Sequence, residues 1–575
     1  MSKILRINTR TRSAAFEELG DYAGLGGRAM TSRIVRAEVP PDCHPLSADN
    51  KLIFSPGLLT GTKAANSGRL SVGAKSPLTL GIKESNAGGL VSAKLAKMGL
   101  LAVILEDKPA EDAPFMVIKL TTDGVEFADA PATDGQGTYA YYETMKQTYG
   151  EKPCVAMIGA AGEQCLKAAT IQISDLSGRP LRSAGRGGLG AVMGSKKVKA
   201  LVVDDAGAPR VEYADPDGFS KATKRWAEIL KEHPVTGQGL PGFGTAVLVN
   251  IINEAGALPT KNFRYGRFDH AADVSGEKIA ELIEKRGGKV KEGCHVGCMI
   301  QCSQVYNDEK GEYLTSGFEY ETVWSMGPNT LISDIDDIAM LDRTCDELGL
   351  DTIEMGNTIA VAMDGGVLPW GDGKAAIDLL GEVGKRSPMG KIIGNGAKFA
   401  GDAFGVERVA VVKNQSLPAY DPRAVKGVGV TYATTPMGAD HTAGYAVCQN
   451  ILKVGGDVDP LSKEGQIELS KGLQMATAAV DAAGFCLFVA FAVLDVEDAM
   501  QTICDLLSAR YGQTFTPEGV MNFGESILKD EHEFNRLAGF TTADDQLPRF
   551  FSTDKLPPHD VSWDFTAEEL QAAKV

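Results

Sequence analysis

The chain has 575 residues, 43% hydrophobic and 23% charged, an ordinary balance for a soluble globular protein. That length exceeds one core, and roughly three domains are expected. A net charge of −17 argues against nucleic acid as a partner, because phosphate binding needs basic stripes. Ten cysteines are too sparse for a disulfide scaffold. The longest apolar run, Gly484 to Leu494, is too short to cross a bilayer and reads as a buried helix. The first eight residues lack the apolar core of a signal peptide, so a cytoplasmic location without membrane insertion is expected.

Up to about residue 205 the chain alternates β-rich runs with glycine turns. Leu52–Ser55, Ala102–Leu105, Phe115–Lys119 and Leu201–Val203 have strand composition. Between them lie Ser67-Gly68-Arg69, Ser85-Asn86-Ala87-Gly88-Gly89 and a longer glycine-rich string from Ala184 to Lys197. Glycines let backbone N–H groups approach phosphates, and Arg69 and Arg186 can add bidentate donors. Gly185-x-Gly187-x-x-Gly190 formally matches the dinucleotide fingerprint, with Asp204 and Asp205 following. The residues before it are polar instead of strand-like, so a Rossmann unit is not expected. An ordinary glycine-rich turn remains the alternative.

Asp204–Arg210 is a polar Gly/Pro stretch and a natural boundary. Beyond it, Asp217–His233, Thr245–Gly256, Gly276–Arg286 and Asp334–Leu348 show helical spacing of apolar residues. A second boundary is expected near Gly405. It is followed by a loop-rich stretch, Tyr420–Gly444, and by helices over Leu469–Ala483 and Asp495–Tyr511. No shorter repeat is evident.

Cys294, Cys298 and Cys302 are spaced four and four. On a helix they would share one face, where thiolates can grip a single centre. Three close thiolates plus a distant one suit a [4Fe–4S] cluster, and Cys486 is the best fourth candidate. A structural zinc site and three buried thiols are the other readings. His295 is read as a bystander.

Two turns share the pattern Asp-x-x-Gly-apolar-(Asp/Cys): Asp346 to Asp351 and Asp481 to Cys486. A carboxylate at a helix end can accept paired N–H donors such as a pterin presents. Taken singly, either turn reads as helix C-capping with a solvated Asp. The repetition and Cys486 favour two copies of one ligand fragment beside a metal cluster.

These segments, with Gly57–Gly61, Ala257–Phe263 and Phe318–Thr322, resemble the tungsten-dependent aldehyde:ferredoxin oxidoreductase family from about residue 20 to beyond residue 500. The resemblance implies an α+β fold in three domains: a β-rich saddle (1–206) and two mainly helical domains (207–410 and 411–575). It implies a tungsten (or molybdenum) bis-pterin and a [4Fe–4S] cluster, with Mg²⁺ bridging the pterin phosphates. Arg69, Asn86, Gly88, Arg186, Gly187 and Gly188 would serve the phosphates and Mg²⁺. Asp346, Leu350 and Asp351 would hold one pterin, and Asp481 and Phe485 the other. Cys294, Cys298, Cys302 and Cys486 would ligate the cluster. The active-site acid would be Glu321, favoured by its spacing to Asp346, or Glu319, which shares its face if the segment is extended. His441 would be the active-site histidine, relaying protons.

The implied reaction interconverts aldehydes and carboxylic acids. Ferredoxin or an iron–sulfur subunit would be the electron partner, in an oligomeric assembly. A tungsten subunit that reduces an aromatic ring in a thioester, or a non-catalytic iron–sulfur carrier, are the alternatives. Three departures stand out. The first cysteine gap is one residue longer than in archaeal members. The only Glu-x-x-His match to a subunit-bridging iron site, Glu292 to His295, falls inside the cysteine cluster. Met437 and Ala443 flank His441 where archaeal members carry basic residues.

Overall fold

The computed structural model describes residues 2–132 and 135–575. Its N-terminal third is two six-stranded sheets. The first comprises β1 (Lys3–Asn8), β2 (Ser13–Glu18), β3 (Leu52–Pro56), β4 (Leu70–Lys75), β5 (Ile82–Ala87) and β6 (Leu100–Glu106). The second comprises β7 (Met116–Thr121), β8 (Gly124–Asp129), β9 (Val155–Met157), β10 (Ile171–Ser174), β11 (Pro180–Ala184) and β12 (Val198–Val203). The strand orders are β2-β1-β6-β3-β4-β5 and β8-β7-β12-β9-β10-β11, which is one topology used twice. In each sheet one pair is parallel, β1 with β6 and β7 with β12, and the others are antiparallel. The helix Gly27–Glu38 between β2 and β3 has its counterpart in Thr138–Tyr149 between β8 and β9. This internal duplication was not evident in the sequence.

The central strands β6 and β12 are buried on both faces, so they read as largely apolar runs (LLAVILE, VKALVV) instead of alternating ones, with the one internal charge, Lys199, paired to Glu163. Leu5, Leu52, Phe54 and Val103 of one sheet and Ile118, Ile171 and Leu201 of the other belong to a single apolar core. The edge strands β5 and β11 approach each other. Along this seam Lys83, Glu84, Ser85 and Arg182 are buried although polar. Burial of such groups is unfavourable unless they find partners, which marks the seam as a site.

The remainder is helical, as expected. The expected segments appear as Pro216–Glu232, Leu248–Glu254, Gly276–Lys285, Ile335–Leu348 and Gln466–Ala483. Asp215, with Pro216 at the first position, caps the first of these, and Asp334 caps the fourth. Three expectations fail. The Tyr420–Gly444 stretch contains a buried helix, Lys426–Thr434. Its glycines answer to packing, since a Cβ on Gly429 would lie 2.4 Å from the Trp563 ring. The Gly484–Leu494 run is helical only in Val489–Asp495, and a turn separates that segment from Ala499–Tyr511.

The third failure is the cysteine segment, which is not helical. It is a loop joining β13 (Lys289–Glu292) to β14 (Ser303–Asn307) in a small sheet completed by β15 (Tyr313–Ser316). Gly297 at φ +78° and Gln301 at φ +51° turn the chain in a way that a right-handed helix excludes. No single helix among the described residues is long and apolar enough to cross a membrane.

Candidate functional site

A cavity of about 380 Å³ lies between the β5/β11 seam and the helical part. Its floor carries Lys83–Asn86, Gly88, Arg182 and Arg186. Asp346, Asp351, Asp481, Glu319, Glu321 and His441 reach it from the other side, with Cys294, Cys302 and Cys486 on one wall.

Both Asp-x-x-Gly turns end helices, at Leu348 and Ala483, with the glycine in the left-handed region. Each turn docks on the matching connection of one sheet. The Gly349 carbonyl accepts from the Thr170 N–H (2.9 Å) just before β10, and the Gly484 carbonyl from the Arg69 N–H (3.0 Å) just before β4. The Asp351 N–H donates to the Ala168 carbonyl and the Cys486 N–H to the Asn66 carbonyl. A Cβ at Gly349 would lie 2.9 Å from the Gly159 nitrogen; at Gly484 it would lie 2.5 Å from the Thr60 hydroxyl.

The turns are therefore genuine C-caps, but their aspartates are not left in solvent: Asp346 is buried and the Asp481 side chain is 13% exposed. Burial, reinforced by Glu84 and opposed by Arg28, pushes Asp481 up to about 8. Burial, then Asp342, raises Asp346 well above the carboxylate range. Asp351 is raised by burial against the pull of Arg186, whose Nε is 3.5 Å away. These carboxyls call for outside donors or cations.

Arg69 Nε donates to Asn86 Oδ1 (2.5 Å), and its Nη1 lies 4.0 Å from Cys294 Sγ. Burial alone would lower its pKa, but Cys294, Cys486 and Asp481 outweigh burial and raise it. Arg186 donates to the carbonyls of Ala439 and Ser416. Lys83 Nζ reaches Asp440 Oδ2 at 3.1 Å. Gly88 keeps the chain close to the cysteine loop, since a Cβ there would meet the Cys294 carbonyl at 3.0 Å.

Gly187 and Gly188, at φ +84° and +75°, do not line the cavity. They pack beneath Lys83 and against the Lys167 carbonyl. A strand does precede their glycine string, contrary to the sequence reading, because β11 ends at Ala184. The dinucleotide unit is still absent: the helix Leu189–Ser195 leads to β12, which is not beside β11. Leu350 and Phe485 likewise turn into the core, Leu350 bridged to Ala169 and Phe485 5.3 Å from the Trp226 ring.

Cys294, Cys302 and Cys486 are buried, whereas Cys298 is partly exposed. The donor atoms of Cys294, His295 and Cys298 lie within 4.8 Å of one another. Asn66 braces this loop, accepting from the Met299 N–H at 2.9 Å and lying 3.7 Å from Cys298 Sγ.

Glu319 and Glu321 do not share an extended face. Glu319 precedes the helix Tyr320–Met326 and accepts from the Thr245 hydroxyl at 2.6 Å; Glu321 sits in its first turn. Glu321 Oε2 accepts from the Ala419 N–H (3.0 Å), and Oε1 lies 3.4 Å from His441 Nε2. Burial pushes Glu321 up to about 8, against Arg186, and His441 down to about 4, against Asp440. Near neutral pH both shifts favour the uncharged forms. Glu319 is also raised by burial, but no imidazole faces it.

Sequence reasoning missed Arg28, Lys83, Glu84, Arg182, Asp342 and Asp440, all of which line the cavity. Lys83-Glu84 directly precedes the Ser85-Asn86 segment, a signal in plain view. Arg28 and Asp342 sit inside helical patterns that give no such sign.

The donor set fits the cofactors that the resemblance implies. Glu84 Oε1, Asn86 Nδ2, Arg182 Nε, Glu321 Oε1 and His441 Nδ1 are buried without a hydrogen-bond partner. Such orphan atoms at a cavity wall suit a ligand with its own donors and acceptors. Raised carboxyls meet N–H donors, the arginines meet anionic groups, and the cysteines offer thiolates.

Residues 4–205 match the family model "Aldehyde ferredoxin oxidoreductase, N-terminal domain", and residues 221–571 match "domains 2 & 3" of the same family. The tungsten-containing aldehyde ferredoxin oxidoreductase of Pyrococcus furiosus is 37% identical, over 96% of this chain and 92% of its own length. That of Thermococcus kodakarensis is 36% identical with the same coverage. The WOR-like subunit of the aliphatic sulfonate oxidoreductase of Pyrococcus furiosus is 27% identical, over 73% of this chain and 71% of that one. In fold, the chain is similar to the active-site complex BamBC of benzoyl coenzyme A reductase. There the TM-score is 0.80 at 20% identity, covering 99% of this chain and 92% of that one. The chain belongs to the aldehyde ferredoxin oxidoreductase family.

Proposed function

We propose that this chain is the catalytic subunit of a tungsten enzyme that oxidises an aldehyde and water to a carboxylic acid, or runs the reverse. The observation that carries the reading is the Glu321–His441 pair, 3.4 Å apart at a cavity flanked by two carboxylate turns and a cysteine wall. When bound, a tungsten bis-pterin supplies two-electron chemistry and a [4Fe–4S] cluster one-electron relay.

Asp346 and Asp351 would hold one pterin and Asp481 the other, accepting from the paired N–H donors that a pterin presents. Leu350 and Phe485 seat these turns from the core side. Arg69, Asn86, Gly88 and Arg186 take the phosphates and their Mg²⁺, while Gly187 and Gly188 shape the turn behind Arg186. Cys294, Cys298, Cys302 and Cys486 ligate the cluster.

Oxidation of an aldehyde by water releases two protons and two electrons with the acid. Glu321, as carboxylate, takes a proton from the attacking water, and His441 passes it on. Glu319 holds the Thr245 hydroxyl and orients the helix start. The three-domain division, a cytoplasmic location, an oligomeric assembly and a ferredoxin-type acceptor complete the proposal.

The test is elemental analysis of anaerobically purified protein, followed by an aldehyde panel with a viologen acceptor. About one tungsten and about four iron atoms per chain are expected. Turnover of an aryl thioester but of no aldehyde would overturn the reading. Glu321→Gln is expected to lower kcat by roughly 10²–10⁴-fold with metal content retained. Aldehyde oxidation by the parent should rise with pH toward about 8, as Glu321 ionises, and Glu321→Gln should lose that rise.

A further inference from the structure

Of the four cysteines assigned to the cluster, Cys298 alone is not buried. It lies in a shallow surface groove of about 370 Å³ formed by the β13–β14 loop. Leu176 (40% exposed) and Met299 (41%) border the groove, with Val296 (46%) on the same loop. Phe243 (41%) follows across Lys291, which lines both this groove and the neighbouring one. Among the described residues few large apolar side chains are exposed, and four of them gather here, a concentration that marks an interaction surface.

The exposed charges lining this patch have one sign. Lys289 and Lys291 are exposed on β13, and Lys63 is exposed beside Ala64 and Asn66, the latter donating its N–H to the Gly297 carbonyl. None of the three lysines forms an ion pair among the described residues. The adjacent Glu292 is buried and paired with Arg179. On a chain of net charge −17, most of the surface repels an acidic partner, and three free cations around an apolar patch form a local exception.

We propose that this surface is the docking face for a small, acidic iron–sulfur protein, which receives electrons over Cys298. The inference rests on the proposed function and adds the place and chemistry of the partner's contact. Electrostatic steering with a small apolar centre is the pattern of transient redox encounters.

The test uses the holoenzyme and an acidic two-[4Fe–4S] ferredoxin, with the dissociation constant measured by surface plasmon resonance at low and high salt. The combined variant Lys63→Glu/Lys289→Glu/Lys291→Glu should weaken binding by at least about tenfold at low salt and flatten its salt dependence. Viologen-linked turnover and melting temperature should stay close to the parent's. Lys374→Glu/Lys391→Glu/Lys529→Glu, which makes the same change in net charge on helices instead of on β13 and its neighbouring loop, should weaken binding far less. Val296→Ser/Met299→Ser should lose about threefold, the smaller apolar share.

Unchanged binding in the first variant, or equal weakening in the control, overturns the proposal. So does a stable dimer of the parent that the same lysine reversals dissociate, because a second copy would then cover the face. A holoenzyme that binds the ferredoxin through these lysines but oxidises no aldehyde would defeat the proposed function and leave the docking face standing.

Discussion

The two halves of the N-terminal base share a strand order, a helix position and a docked Asp-x-x-Gly turn, yet they surround their aspartates differently. Arg28, at the start of its helix, reaches Asp481 at 3.3 Å and is held by Glu531 at 2.8 Å. In the other half the matching helix begins Thr138-Tyr139. There the Thr138 hydroxyl donates only to the Asp346 backbone carbonyl. Asp346 faces Gln172 at 3.5 Å and the buried acid Asp342, which the Thr315 hydroxyl holds at 2.6 Å. Both carboxylates also feel a buried acid, Glu84 or Asp342, but only Asp481 has a guanidinium within 3.3 Å. Duplication sets where a ligand fragment can sit, and the side chains decide what charge it meets.

Removing the cation should break the asymmetry most. Arg28→Met leaves Glu531 and Asp481 buried without it, and a loss of about 3–5 kcal/mol is expected in denaturant unfolding of the cofactor-free protein. A cost below about 1 kcal/mol would mean that Arg28 does not distinguish the halves. The turns themselves come next. Gly484→Ala should cost more than Gly349→Ala, because both force alanine into the left-handed region, for about 1–2 kcal/mol, but only Gly484 faces a 2.5 Å contact. Equal midpoints for the two variants would show that docking is equally tolerant on both sides.

The smallest effect is in pH. Folded Asp481 titrates at about 8 and Asp342 at about 7, both above the ordinary 3.8. Each holds its proton in the folded state after the unfolded chain has lost it, so stability falls as pH rises from about 4. Asp342 stops contributing near pH 7, and Asp481 continues to about 8. Asp481→Asn should therefore remove about 1 kcal/mol of the decline between pH 7 and 8, and Asp342→Asn little of it. The reverse result in urea midpoints across that interval would exchange the two assignments.

How far the site could be read beforehand depends on whether its parts are close in sequence. A loop with left-handed residues, not a helix face, brings the donors of Cys294 and Cys298 together with that of His295, and it holds Cys302 buried nearby, just before β14. Both Asp-x-x-Gly turns were recognised, and their C-capping was correct. Of the two readings, a solvated cap or a ligand-facing carboxylate, the turn's own residues could not choose, because enclosure requires Gly159 and Gly57, far away in the chain, to come within contact. The strand before Gly185 was overlooked because Pro180–Ala184 buries polar residues in the seam, where composition misleads.

By itself the sequence showed four of the N-terminal strands, several of the later helices, the spacing of the cysteines and the two glycine-ended turns, since each is set by neighbours within a few residues. Only the tertiary structure decided that the base is one topology used twice. It alone decided that Arg28 answers Asp481, that Glu321 meets His441, and that Cys298 is the cysteine facing outward. Those relations join residues up to several hundred positions apart, and their energies depend on burial, which no local pattern records.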